Sequence, residues 1–181
     1  MIIALTGEKL AGKGTVADYL HKLHNAQLLR FSQPLSDILM RLHQPNTRQE
    51  LVALGTYVRQ RFGDDILAQV VAEDAARLTG LVVVDGMRYP AEYQIFSQLR
   101  NFHLLNITAP VDIRFERTKL RSEKADEQGM TLAEFRTREQ DVTEQGIAAV
   151  QTKAEHTIQN TSTFDALYQA VDQWLATLPS A

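Results

Sequence analysis

Apolar residues arrive along this chain in short unbroken runs, each followed by a stretch in which they recur every third or fourth position. Ile2 to Thr6 is the first such run, and it ends at Gly7. A run of that length fits a strand covered on both faces, as in a parallel sheet. Lys13 to His24 then carries Val16, Ala17, Leu20 and Leu23 at helical spacing. Gln27 to Phe31 predicts a second short strand, and Pro34 fits the first turn of a helix running through Arg41, where its missing N–H is no loss. Thr47 to Arg61 and Asp64 to Arg77 predict two further helices, the first opened by Thr47 and Glu50 at capping-box spacing and the second stopped at Gly80. Leu81 to Val84 is the clearest strand, running straight into Asp85-Gly86. Beyond it the pattern predicts a strand over Leu104 to Ile107, a helix over Pro110 to Arg121 and a polar stretch from Ser122 to Met130. A helix from Thr131 to about Thr143 follows, again with a capping-box pair in Thr131 and Glu134. His156 to Gln159 predicts the last strand and Thr163 to Leu178 a closing helix.

Strands separated by helices predict a three-layer α/β/α sandwich around a parallel sheet. With 181 residues, the chain is long enough for one well-buried domain and short for two. Ligands of such sheets sit at the carboxyl ends of the strands. Three polar clusters fall there: Gly7 to Thr15, Asp85 to Arg88, and an Arg-rich segment from Arg114 to Arg138.

Composition narrows the chemistry. A formal charge of −3 argues against a coat on nucleic acid polymers, a task that needs surplus cations. There are no cysteines, which removes disulfides, thiolate metal sites and cysteine nucleophiles and fits a reducing compartment. The five histidines, His21, His24, His43, His103 and His156, have no metal-ligand spacing and read as surface or core positions. No apolar stretch approaches the roughly 18 residues of a membrane span, so the expected location is cytoplasmic.

The segment Gly7-Glu8-Lys9-Leu10-Ala11-Gly12-Lys13-Gly14-Thr15 satisfies G-x-x-x-x-G-K between a strand and an amphipathic helix. Glycines let successive N–H groups turn inward into an anion nest, to which the helix N-terminus adds partial positive charge. Gly7, Ala11, Gly12, Lys13, Gly14 and Thr15 are therefore the expected contacts to ATP phosphates, with Lys13 bridging the β- and γ-phosphates. The residue after the lysine is Gly14, where a Ser or Thr is usual, so Thr15 is the expected hydroxyl near magnesium.

Asp85-Gly86-Met87-Arg88 follows the most apolar strand. Asp85 at a strand tip can hold a magnesium-bound water or orient an acceptor oxygen, and Arg88 can form a two-pronged pair with phosphate. Arg114, Arg117 and Arg121 share one predicted helix, and Arg136 and Arg138 lie beyond the polar stretch. Arginines on both sides of such a segment suit a lid that shuts water out, expected over about residues 118–140. Ser32, Arg41 and Arg59 lie in an expected acceptor-binding insertion, about residues 32–78, and are the candidates for a second anion pocket.

At these residues the chain resembles nucleoside-monophosphate kinases. GEKLAGKGT is similar to the adenylate kinase loop in its spacing and its closing GKGT, and DGMR resembles the adenylate kinase D-G-x-x-R element shortened by one residue. GKGTVADYL, FSQPL, LGTYVRQRFG and MRYPAEYQIF resemble deoxynucleoside monophosphate kinases. VVVDGMRYPAEYQIF with DEQGMTLAEFRTRE also looks like an adenylate-kinase-related and dephospho-CoA-kinase-related group. The resemblance spans roughly residues 1–160. It implies a P-loop kinase fold in which Lys13 and the loop glycines bind ATP, Asp85 assists Mg2+, Arg88 takes the acceptor phosphate, and Arg117 and Arg121 serve the lid. Ser32 and Arg41 match the acceptor segment loosely.

The expected activity is ATP- and Mg2+-dependent phosphorylation of a nucleoside or deoxynucleoside monophosphate by a monomer or homodimer, without a nucleic acid polymer or membrane as partner. Two alternatives stay open: a dephospho-CoA-like or other phosphorylated acceptor, and a non-catalytic ATP-binding switch.

Overall fold

The strand β1 (Ile2–Thr6) lies in the middle of the sheet, and every one of its residues is buried. Alternate side chains serve opposite faces, as strand geometry requires. Ile3 and Leu5 join one core with Val16, Ala17 and Leu20 of α1 (Lys13–Leu23) and Leu167, Val171 and Trp174 of the C-terminal helix. Ile2 and Ala4 join the other. A strand flanked on both sides by apolar layers cannot alternate polar and apolar residues, which is why IIALT reads as a continuous run.

This computed structural model describes residues 1–120, 130–138 and 142–179. After α1 come β2 (Gln27–Arg30), α2 (Gln33–Arg41), α3 (Arg48–Phe62), α4 (Ile66–Arg77), β3 (Val82–Asp85), α5 (Pro90–Phe96) and β4 (Phe102–Thr108). Then follow α6 (Val111–Leu120), α7 (Leu132–Arg138), α8 (Val142–Gln151), β5 (His156–Gln159) and α9 (Phe164–Leu175). The sheet order is β2-β3-β1-β4-β5, with all pairings parallel. α1 and α9 cover one face, while α4, α5 and α8 supply Val71, Phe96 and Val150 to the other. The three-layer α/β/α sandwich expected from the sequence is the fold.

Two helices were not anticipated, α5 and α8. Of the helix expected from Thr131 to about Thr143, α7 (Leu132–Arg138) and the start of α8 at Val142 are described, while residues 139–141 lie outside the described residues. The capping box that opens α7 is present, since Thr131 N–H donates to Glu134 and Glu134 N–H to the Thr131 hydroxyl. Of the expected polar stretch Ser122 to Met130, all but Met130 lies outside the described residues.

Within residues 32–78, α4 packs on the sheet through Leu67, Ala68, Val71, Ala72 and Ala75, whereas Gly55 is the buried residue of α3. α2 buries Leu35 and Leu39 outside the two sheet cores, and α2 and α3 together stand out from those cores and display Ile38, Met40, Val52 and Tyr57.

Candidate functional site

The loop from Gly7 to Gly12 turns sharply because two of its glycines hold positive φ. Gly7 has φ 132° and Gly12 φ 114°. A Cβ on Gly7 would lie 1.9 Å from the Ile107 carbonyl oxygen, and one on Gly12 2.3 Å from Asn160 Nδ2. Both positions therefore demand glycine on conformation and on space. A Cβ on Gly14 would meet nothing within 4 Å, so no close neighbour requires a glycine after Lys13.

Lys13 Nζ donates to the carbonyls of Gly7 at 2.6 Å and Glu8 at 2.8 Å, so the ammonium folds back over the loop it closes. Behind the loop, carbonyls are held by a set of donors that sequence reasoning assigned elsewhere or missed. Arg114 Nη1 donates to Lys9, Arg117 Nη1 to Leu10 and Ala11, and Asn160 Nδ2 to Ala11. Arg117 Nη2 also donates to the Asn160 carbonyl at 2.9 Å. Burial, and then Arg114, lower the pKa of Arg117. Arg117 was expected over the phosphates as a lid residue; here its guanidinium braces the backbone of the loop.

The segment after β3 is stitched to the end of β1. Gly86 N–H and Met87 N–H both donate to the Leu5 carbonyl, and the buried Thr6 hydroxyl donates to the Met87 carbonyl at 2.9 Å. Glu92 then fixes the next two residues, its Oε2 accepting from Arg88 N–H at 2.7 Å and Tyr89 N–H at 3.1 Å. α8 presses on the same turn, since a Cβ on Gly146 would lie 2.5 Å from the Arg88 carbonyl oxygen. These contacts put Arg88 beside the phosphate loop.

Asp85 is the electrostatic centre of the arrangement. Burial pushes its carboxyl above the usual range, while Lys13, Arg30 and Arg88 pull it back and the exposed Asp18 pushes it up. Lys13 and Arg88 thus act on one carboxylate, and Arg30 Nε stands 3.9 Å from it. Burial likewise raises Glu92, against its two backbone hydrogen bonds and the charges of Arg59 and Arg88. Arg88 is thus common to both carboxylates, with Arg30 acting on Asp85 and Arg59 on Glu92.

Of the remaining expected positions, Ser32 and Arg41 stand apart from Asp85 and Glu92. Ser32 is exposed at the start of α2 and makes no side-chain cap. Arg41 lies exposed in the last turn of α2 and is not among the charges acting on Asp85 or Glu92. Thr15 is partly buried in the first turn of α1. Arg138 ends α7, but its side chain, like all of Arg121, lies outside the described residues. Among the described residues no cluster of three or more His, Cys, Asp or Glu forms a metal cage. Lone oxygen donors such as Asp85 and Thr15 fit a magnesium ion that arrives on a triphosphate, because Mg2+ keeps several waters and takes few protein ligands.

A cleft of about 570 Å³ opens between α6 and the turn after β5, lined in part by Ile113, Phe115, Arg117, Leu132, Thr161 and Ser162. It adjoins the phosphate loop through Arg117.

Solved structures share this architecture. A shikimate kinase from Bacteroides thetaiotaomicron superposes with TM-score 0.66 at 17% identity, covering 97% of this chain and 98% of its own. The Thermus thermophilus protein TT1252 gives TM-score 0.57 at 20% identity, covering 99% and 98%. The chain thus shares the fold of that shikimate kinase. No protein-family model matches the chain. In sequence it is similar to a UPF0200 protein of Pyrococcus horikoshii, 27% identical over 96% of this chain and 95% of that protein. It is also similar to a UPF0200/UPF0201 protein of Archaeoglobus fulgidus, 26% identical over 98% of this chain, which spans 55% of that relative's length. No helix among the described residues is long and apolar enough to cross a membrane.

Proposed function

We propose that this protein transfers the γ-phosphoryl group of ATP to a phosphate oxygen of a nucleoside or deoxynucleoside monophosphate. The observation that carries the reading is the stitching of the Asp85–Arg88 turn onto the end of β1, which leaves Lys13 and Arg88 acting on the same Asp85. A donor-side cation and an acceptor-side guanidinium around one carboxylate suit in-line transfer between two anions.

In this reading the amides of residues 7–15 cradle the β- and γ-phosphates, and Lys13 leaves the Gly7 and Glu8 carbonyls to neutralise charge on the group in flight. An acceptor phosphate oxygen bonds to the γ-phosphorus as the bond from that phosphorus to the bridging oxygen breaks, and ADP leaves. The acceptor monoester is already largely deprotonated near neutral pH, its second pKa being about 6, so no strong base is needed. Asp85 and Thr15 would hold Mg2+, which supplies charge neutralisation on the triphosphate. The cleft beside Arg117 would take the ATP base. Arg121 and Arg138 remain candidates for a lid.

One observation favours a second acceptor class. Burial raises Asp85, and a more basic carboxylate at this place suits proton removal from a hydroxyl acceptor. The test common to both is Lys13→Ala: acceptor-dependent ADP release should vanish while the melting temperature without nucleotide stays within a few degrees. Near-normal turnover in that variant would overturn the proposed site.

A further inference from the structure

Arg30 is the last residue of β2 and the register partner of Asp85 in β3. Its Nε lies 3.9 Å from Asp85 Oδ2, and its side chain is 51% exposed. A pair at that separation, half in solvent, contributes about 0–1 kcal/mol and does not hold the guanidinium in place. Arg30 was not singled out in the sequence, and the phosphoryl chemistry above leaves it without a task.

Its surroundings supply one. From Arg30 the chain turns directly into α2 and α3, the helices that stand out from the core. Arg59 of α3 acts with Arg88 on Glu92, and Arg88 and Arg30 both act on Asp85. Glu92 offers little counter-charge to a ligand, because it is buried and its Oε2 already accepts two backbone N–H groups. Lys13 and Asp85 are assigned to the triphosphate and its metal. Arg30, 3.9 Å from Asp85 at the end of β2, and Arg88, three residues beyond Asp85 and acting on it, then leave an excess of positive charge at this end of the β2–β3 pair, to which Arg59 adds through Glu92. A phosphomonoester dianion matches that excess, whereas a neutral alcohol does not.

We infer that Arg30 is an acceptor-binding residue, which with Arg88 grips the acceptor's phosphate and makes the site selective for phosphomonoester dianions. This rests on the phosphotransferase reading. The planar fork matters, since guanidinium pairs with phosphate through two parallel N–H donors and an ammonium does not.

The experiment compares wild type, Arg30→Gln and Arg30→Lys in initial-rate assays with ATP·Mg and a panel of nucleoside and deoxynucleoside monophosphates and their parent nucleosides. ATP binding is followed separately by thermal shift. Arg30→Gln should raise the acceptor KM about 10- to 100-fold, the loss of one charge-assisted contact, and leave the ATP KM within about twofold. Arg30→Lys restores the charge beside Asp85 but not the fork, so it should recover only part of the loss. In wild type the acceptor KM should climb as pH falls below about 6, where the dianion gains a proton. Full recovery by lysine would show that Arg30 acts through Asp85 and overturn the inference. So would an unchanged acceptor KM in Arg30→Gln, or phosphorylation of parent nucleosides but no monophosphate. Absence of an ATP·Mg thermal shift in wild type would instead defeat the nucleotide reading, and this inference with it.

Discussion

Gln151 Nε2 donates to Glu8 Oε1 at 2.9 Å, tying the last residue of α8 to the second residue of the phosphate loop. The same amide reaches Asn106 Oδ1 at 3.1 Å, and the Thr108 hydroxyl donates to Glu8 Oε1 at 3.1 Å. One turn and a half earlier, Gly146 lets α8 lie against the Arg88 carbonyl. A single helix therefore touches both the loop that carries Lys13 and the turn that carries Arg88. Gln151→Ala removes a donor from a carboxylate whose other oxygen is already buried without a hydrogen-bond partner among the described residues. It should cost about 1–3 kcal/mol of stability and weaken ATP binding several-fold. Gln151→Glu is the sharper test. Two facing carboxylates must share a proton, so ATP affinity in this variant should fall as pH rises from about 5 to 8, unlike wild type. Matching pH profiles for the two proteins would remove Glu8 from control of the loop.

The glycines of the loop should separate cleanly. Gly12→Ala combines a φ of 114° with a Cβ 2.3 Å from Asn160 Nδ2, so it should destabilise by about 1–3 kcal/mol and abolish ATP binding. Gly14→Ser meets nothing within 4 Å and replaces a helical glycine, so it should gain about 0.5 kcal/mol. It also restores a hydroxyl next to Lys13 and should lower the Mg2+ concentration for half-maximal activity. Thermal melts and magnesium titrations check both; a destabilised Gly14→Ser would contradict the space seen around that position.

If Arg88 binds the acceptor as proposed, Arg88→Ala should raise the acceptor KM at least about tenfold while the ATP KM changes little. Equal rises in both would place Arg88 on the donor instead.

Asp85 carries a stability consequence with a definite sign. Burial raises its folded pKa above the unfolded value, so the folded state holds the proton more tightly. The associated stability is present below the ordinary carboxylate pKa and is lost as pH rises through the raised one. Asp85→Asn keeps the neutral form at every pH. Its melting temperature should match wild type near pH 4 and exceed it at neutral pH, with transfer activity reduced at least about a hundredfold. A variant that melts below wild type across the whole range would contradict the assigned cause.

Much of this was legible in the chain because the strongest signals are local. The run Ile2 to Thr6 and the segment His156 to Gln159 form strands over the expected residues, and Thr47 and Thr163 cap α3 and α9 through hydroxyls that accept from Glu50 and Ala166 N–H groups. α8 escapes the pattern because Gly146 interrupts it and Ile147 and Val150 are its apolar anchors, so its helix is held by packing against the sheet and the Arg88 turn. α5 is only 7 residues long and begins at a proline, too short to reveal a period. Arg30 has no motif around it. Its importance depends on β2 lying beside β3, and strand order is not written in any one segment. Asn160 reaches Ala11 across 149 positions, and Arg117 turns to the same loop across more than 100. Such long-range braces follow from the order of strands in the assembled sheet, not from spacing along a helix.

The most direct test of the account is 31P NMR of the purified protein with ATP, Mg2+ and the monophosphate panel. The expected result is ADP together with the β-phosphate resonance of a new nucleoside diphosphate in equal amounts, and neither from Lys13→Ala. ADP and free inorganic phosphate appearing at one rate with or without an acceptor would contradict it.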